Sequence, residues 1–382
     1  MKRENKSVFR ALATFIGTII GVGIFGVPFA ISQAGFFIGL VYLVILGAAL
    51  FIINYFYCDV VVNTKERHRL VGYCKIYLGP WARRISYFSL TLGMVGSIIA
   101  YIILGGEFLH ALVAQFFGGT VFQYQIILFT FIALVALVGL RLVSRIEVVM
   151  TIFLLAVMSF IFVQGVPKIE WANLFSFAEP RDIFLPYGVI LFALAGTIAI
   201  PEIRDVLKGY ARDMRRVVRW GTLIPLFLTA IFSLVVVGVT GTATSPESII
   251  GLARALGPWI LYIGALFGFL AITTSFLVFA VHLKESFIYD FKVDKYLAWF
   301  IAVFTPLAIF LIGSRDFINV ISFTGAIFGG FNYILITLLY LKIRAKKKTK
   351  FPVIRWPRII PYALMVIFSL GIVYEVVYTF IR

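Results

Sequence analysis

The chain has 382 residues, of which 62% are hydrophobic and only 13% charged, with a formal net charge of +17. A soluble domain could not cover its surface with so few charges, and apolar runs of roughly 18 residues or more follow one another along nearly the whole length, which marks a polytopic membrane protein. The positive balance would suggest nucleic acid in a soluble chain; here it is the cationic loop bias of membrane proteins, so the expected partner is the lipid bilayer and no nucleic acid is implied. Cys58 and Cys74 are the two cysteines, too few for a disulfide framework and without the CxxC spacing of a metal site. The start, MKRENK before an apolar run, imitates a signal peptide but lacks a small-residue cleavage site, so it is expected to be retained.

Eleven spans are expected, at approximately 8–33, 36–62, 85–116, 124–140, 146–165, 184–203, 219–240, 258–282, 297–313, 318–341 and 359–380. The first contains FIGTIIGVGIFGVP (15–28), which places Gly17, Gly21, Gly23, Gly26 and Pro28 inside an apolar helix. Glycine weakens a helix by about 1 kcal/mol relative to alanine, and proline removes a backbone donor. In lipid an unpaired backbone group costs several kcal/mol, so such a break survives only beside protein or a polar cavity. Its free amides can hold an anion and its free carbonyls a cation, which makes the stretch half of a candidate transport site.

The remaining chain fixes orientation. Cations cluster at 2–10, 65–84, 141–145, 204–219, 284–295 and 342–358, whereas alternate segments keep only Lys168, Arg181, Arg254, Arg315 and Arg382. The positive-inside rule therefore predicts a cytoplasmic N-terminus, an odd number of spans and an external C-terminus, in what is expected to be the cell membrane. Residues 72–84 are expected to form a short interfacial helix stopped by Gly79-Pro80, 246–257 an external helical loop, and 344–350 a solvated cationic loop. No appended soluble domain and no obligate protein partner are expected.

Span six, FLPYGVILFALAGTIAIPEIRDV (184–206), is interrupted by Gly196 and Pro201, five spans after the first interruption. Two broken spans at matching places in two five-span halves point to an inverted-repeat transporter. The expected fold is all-α, about eleven transmembrane helices, with a first repeat at about 8–165, a second at about 184–341 and an extra helix at about 359–380.

These motifs carry a resemblance. GTIIGVGIF (17–25) resembles the first-span motif of the amino acid–polyamine–organocation (APC) superfamily, whose members share the LeuT-type fold. FALAGTIAIPEI (192–203), RDMRRVVRWG (212–221) and SIIAYIILGGEFL (97–109) are similar to its amino acid/auxin permease (AAAP) branch. The resemblance implies an amino acid lying between the broken spans. Amides of Gly21, Val22 and Gly23 would face its carboxylate, and carbonyls of Ile19, Phe192, Ala193 and Ala195 its ammonium group. Tyr101 would reach the carboxylate, gate the outer path, or serve as a packing anchor. The pocket candidates Val22, Ala100, Phe192, Thr197 and Thr273 carry no charge, which leans toward a neutral, apolar or aromatic amino acid.

In sodium-coupled relatives of this fold, a pattern like AITTS (271–275) completes a sodium site. Carried over, the ligands are the carbonyls of Gly17, Ile20 and Ala271 and the hydroxyls of Thr274 and Ser275, with Na+ as the coupling ion and no other cofactor. The bland alternative is that these hydroxyls bond back to their own helix. Ile24 offers no polar group for a second sodium ion, and 147–163 has no lysine to replace the first. Glu107 with His110, and Glu202 near Arg204 and Asp205, are candidates for a proton relay or a salt-bridged gate, with a solvated role as the alternative. A membrane-embedded enzyme would need clustered acidic, histidine or serine groups around one cavity, and a channel would lack the matched breaks. The expected activity is therefore secondary transport, with H+ as the alternative coupling ion.

Overall fold

The structure is a computed structural model, and it describes residues 2–138, 143–175, 182–207, 211–313, 315–346 and 348–381. Arg141, Arg181, Lys208 and Arg382, used above for topology, lie outside these residues. Every regular element described is a helix, as lipid requires of a chain whose backbone must satisfy its own hydrogen bonds.

Helices α1 (Lys2–Ile19) and α2 (Gly23–Ala34) form one apolar span bent by 50° at a three-residue break. After α3 (Phe36–Asn63) come α4 (Leu70–Leu78), α5 (Pro80–Phe117), α6 (Val121–Val138) and α7 (Val143–Gly165). The second interrupted span consists of α8 (Leu185–Ala193) and α9 (Ile200–Val206). It is followed by α10 (Ala211–Thr240), α11 (Ile249–Leu256), α12 (Pro258–Phe291) and α13 (Lys295–Ile312). A third irregular span joins α14 (Phe317–Phe323) to α15 (Gly330–Arg344) through a π-helical run, Thr324–Gly329, before the final α16 (Ile359–Ile381). Among the described residues, eight helices are long and apolar enough to cross a membrane and the bent pair makes a ninth, while shorter apolar helices occupy Val121–Leu137 and Ile152–Lys168.

The breaks differ from expectation in what causes them. Pro28 lies inside α2, and Pro201 stands in the first turn of α9. A proline at a helix start gives up an amide that had no acceptor anyway, so Pro201 begins a helix and does not end one. The interruptions fall instead at Ile20–Val22 and Leu194–Gly196. The second is also gentler, since its two halves continue closely enough to form one apolar span of 22 residues. The short helix expected in 72–84 does stop at Gly79-Pro80: α4 ends at Gly79, whose φ of 94° suits glycine, and Pro80 opens the long α5.

The broken spans lie at the centre. α2 packs on α8, α1 on α10, and α5 lies along α12. The π-helical run leans on α8 from the other side, so closely that a side chain at Gly325 would strike the Gly188 carbonyl and the Phe192 amide. At one end of the bundle Arg204 of α9 holds the α3–α4 loop, donating to the carbonyls of Thr64, Lys65 and Glu66 and to the Tyr73 hydroxyl, at 2.8–3.3 Å. The cationic 344–350 stretch expected as a free loop leads into an anchored segment. Asp59, buried near the end of α3, accepts from the Ile354 amide at 2.9 Å and from Arg215 at 2.6 Å, and Asn63 accepts from the Phe351 amide at 2.8 Å.

Candidate functional site

At the first break the Gly21 amide turns back to the Ile19 carbonyl at 3.0 Å. The amides of Ile24 and Phe25 reach only the Gly21 and Val22 carbonyls, at 3.4 and 3.3 Å, so α2 opens on a tightened turn. The Gly23 amide, first in α2, has no acceptor within its own helix. At the second break α8 ends at Ala193, and the Ala195 amide reaches the Phe192 carbonyl at 3.3 Å before a 3₁₀ turn, Thr197–Ala199. These two ends meet: a Cβ on Gly23 would lie 2.5 Å from the Ala193 Cα. The positive amide end of α2 is thus set beside the negative carbonyl end of α8, a pairing of dipoles that suits a small zwitterion.

Around this junction lies a cavity of about 140 Å³. Its wall contains all nine residues expected to face a substrate: Ile19, Gly21, Val22, Gly23, Tyr101, Phe192, Ala193, Ala195 and Thr197. Gly21 has nothing within 4 Å of where a side chain would be, so a substituent there would project into open space. Ala100 and Thr273 line neither this cavity nor the next. Sequence reasoning did not include the other half of the wall. Met94 and Ser97 come from α5, Phe328 and Gly329 from the π-helical run, and Asn332 and Tyr333 from α15. The available signal was a polar Asn332 three residues after Gly329-Gly330 in an otherwise apolar span.

A second cavity, of about 110 Å³, adjoins the first and shares Thr18, Gly21, Tyr101, Ile198 and Phe279 with it. Gly17, Ile20, Ala271, Thr274 and Ser275, the five residues expected around a cation, all line it. The Thr274 hydroxyl donates to the Ala271 carbonyl at 2.9 Å, and the Ser275 side chain is a hydrogen-bond partner of Tyr101. A hydroxyl that donates still keeps lone pairs able to face a cation. Tyr101 itself is clamped, stacked on Phe279 with ring centroids 5.7 Å apart.

The lower wall of this second cavity carries Glu202 and His282. The expected bridge from Glu202 to Arg204 is not what forms: Arg204 is occupied by the α3–α4 loop, Asp205 pairs with Arg67 at 3.3 Å, and the cation facing Glu202 is Arg69. The physical reason is length, since the Arg204 guanidinium reaches four acceptors on the neighbouring loop and is held there. Beyond lies a vestibule of about 640 Å³, lined by Arg67, His68, Arg69 and His282 and meeting both cavities at Ile198. In Tyr73, which borders the same loop, burial raises the phenol pKa despite the neighbouring Arg204.

The opposite end is closed. Phe25 meets Phe108 edge-on with centroids 5.2 Å apart, and the Ser248 hydroxyl donates to the Phe25 carbonyl at 2.5 Å. Glu107 is on this closed side, with the carboxylates of Glu247 and Asp316 as its charged neighbours, and it lines neither cavity. Its helical neighbour His110 packs against the Tyr124 ring, centroids 5.5 Å apart.

Comparison with known proteins gives three findings. The sequence model of the tryptophan/tyrosine permease family matches residues 4–378. The tyrosine-specific transport system 1 of Haemophilus influenzae is 26% identical over 224 residues, which is 58% of this chain and 55% of that protein. The alignment therefore spans little more than half the length of that relative. Among solved structures, Mhp1, a nucleobase-cation-symport-1 family transporter in a closed conformation with bromovinylhydantoin bound, superposes with a TM-score of 0.65. That likeness covers 97% of this chain and 91% of the other at 12% identity, and so shows the fold alone: the LeuT type.

Proposed function

The chain belongs to the tryptophan/tyrosine permease family, and from that premise we propose that it carries an aromatic amino acid across the cell membrane by alternating access. A permease family holds transporters and not enzymes. The observation that carries the reading is the single cavity of about 140 Å³ built where the amide end of α2 meets the carbonyl end of α8. A zwitterion lies there with its carboxylate toward Gly21, Val22 and Gly23 and its ammonium group toward the carbonyls of Ile19, Phe192, Ala193 and Ala195. An apolar cavity of about 150 Å³ takes one benzene ring, so a ring among Met94, Phe328 and Tyr333 uses most of this space, and the charged ends extend toward the adjoining cavity at Gly21.

Coupling to Na+ is supported by the gathering of Gly17, Ile20, Ala271, Thr274 and Ser275 around the adjoining cavity. Hard oxygen ligands without a carboxylate suit a monovalent ion that must also leave. Protons are the second reading, supported by Glu202 and His282 in the wall of that same cavity. With the cation-rich loops inside, the vestibule is cytoplasmic, the N-terminus is inside, and the conformation is inward-facing with its external end closed at Phe25 and Phe108. The halves 8–165 and 184–341 act as inverted repeats, with the segment 359–380 added. The motifs at 17–25 and 192–203 extend the kinship to the APC superfamily and its AAAP branch.

The test is uptake of labelled tyrosine, tryptophan and phenylalanine by the protein in proteoliposomes, under separate Na+ and H+ gradients. At least one aromatic amino acid is expected to accumulate, driven by Na+. If none is transported or competes, the reading fails; if a proton gradient alone drives uptake, coupling passes to the second reading.

A further inference from the structure

Asn332 lies in the wall of the larger cavity, 9% exposed, and its side-chain oxygen Oδ1 has no hydrogen-bond partner. Buried amides are rarely left this way, because an unsatisfied acceptor loses water without replacement. The other polar groups of that wall show the contrast. The Ser97 hydroxyl donates to the Gly93 carbonyl at 2.9 Å, that of Thr18 to Thr14 at 2.9 Å, and that of Tyr333 to Leu191 at 3.2 Å. Among the described residues, Asn332 Oδ1 is the buried polar atom of this wall that remains unsatisfied.

Its surroundings specify what can satisfy it. Asn332 enters from α15, whereas the charged ends of a zwitterion belong to the α2–α8 junction. Met94, Phe328 and Tyr333 share this wall with it, and Gly93 and Gly329 add no side chain. With the charged ends held at that junction, a ligand group that meets Asn332 belongs to the side chain, and a donor is what matches the free oxygen.

We propose that Asn332 is a specificity-determining residue. Its Oδ1 accepts a hydrogen bond from the phenol hydroxyl of tyrosine or the indole N–H of tryptophan, and the cavity thereby rejects aromatic rings without a donor. This rests on the aromatic amino acid reading given above. A site built to bond a substrate donor discriminates strongly against the analogue lacking it, since the buried group is then left unpaired. Phenylalanine fits the same space and leaves Oδ1 as it is.

The experiment is competition against labelled tyrosine uptake in proteoliposomes containing the full chain. Tyrosine and tryptophan are expected to compete at least about tenfold better than phenylalanine. 4-Fluorophenylalanine, which keeps the size of tyrosine and removes the donor, is expected to group with phenylalanine. Asn332→Leu is expected to abolish the distinction by weakening tyrosine at least about fivefold while phenylalanine is unchanged or improved. The wild-type comparison with 4-fluorophenylalanine decides the matter even if that variant fails to fold. Tyrosine transport with equal competition by phenylalanine and 4-fluorophenylalanine overturns the role of Asn332 and leaves the aromatic reading standing. Failure of all aromatic amino acids to be transported or to compete overturns that reading itself.

Discussion

The Ser248 hydroxyl, wholly buried, donates to the Phe25 carbonyl at 2.5 Å and so ties the start of α11 to the first broken span. Ser248 holds this place with φ of +60°, a conformation uncommon for a residue with a side chain. The bond fastens the closed end of the bundle, so Ser248→Ala should release it. Loss of one such bond is worth about 1 kcal/mol, a population shift of roughly fivefold toward the state open at that end. The check is labelling of a cysteine introduced at Val22 by an impermeant reagent applied from the α11 side of sealed vesicles. Equal labelling with and without Ser248 would mean that the bond does not gate.

Gly21 and Gly23 should respond differently to the same change. Gly23→Ala drives a methyl group into the Ala193 backbone and should cost about 1–3 kcal/mol by overpacking, lowering the melting temperature. Gly21→Ala meets nothing within 4 Å and should leave stability unchanged, while its methyl group narrows both cavities and raises the KM for substrate. Melting curves and uptake kinetics on the two variants separate these effects.

Replacing Thr274 and Ser275 together by alanine removes both hydroxyls from the smaller cavity. The expected result is a loss of sodium stimulation of at least about tenfold, with the aromatic specificity kept, since neither residue lines the larger cavity. An unaltered sodium response in the double variant would remove this cavity as the coupling site.

Two ion pairs should prove very unequal. Asp59 has a side chain 1% exposed that accepts from Arg215 and from the Ile354 amide, so Asp59→Ala removes the acidic partner of Arg215 and should destabilise by about 3 kcal/mol. It should also free residues 351–354 for proteolysis. Arg67–Asp205, exposed at 74% and 51%, is screened by solvent, and Arg67→Ala should change stability by less than about 1 kcal/mol. Thermal shift and limited proteolysis test both.

Cys74 lies in α4, outside the spans, where burial pushes its thiol up to about 12. The folded-state pKa is raised above the usual value, so the thiolate is scarce throughout the neutral range and appears only as pH approaches 12. Maleimide applied to the native protein at pH 8 should therefore leave Cys74 unmodified, and Cys58, fully buried, should also be protected. Both should label after denaturation.

The central breaks were legible because glycine and proline depart from the composition of a lipid-spanning helix. Nine residues around one break pair and five around the neighbouring motif could be named from 15–28, 97–109, 192–203 and 271–275, and they line adjoining cavities. Of the breakers named in the sequence, Gly21 and Gly196 do fall in the breaks, whereas Pro28 and Pro201 are accommodated within helices. What remained hidden depends on distant contacts. Arg204 chooses backbone carbonyls 138–140 positions earlier over the nearby Glu202, and no spacing rule records that choice. The half of the larger cavity built by Phe328, Asn332 and Tyr333 was hidden because a π-helical run has no distinctive composition beyond its glycines.

That run has a rotational consequence. A π turn spreads its hydrogen bonds over one more residue than an α turn, so Thr324–Gly329 inserts an extra step into the span without lengthening its reach greatly. One residue of an α-helix is about 100° of azimuth. Relative to a continuous α-helix, Phe317–Phe323 and Gly330–Arg344 are therefore out of phase by roughly that angle, and the phase is what brings Asn332 around to the cavity. Thr324–Gly329 turns through roughly what five α-helical residues would, so deleting Ala326 should restore an unbroken α register and keep Asn332 on the cavity. In this transporter the side chain that α15 turns to the cavity is chosen by how many residues the helix counts per turn.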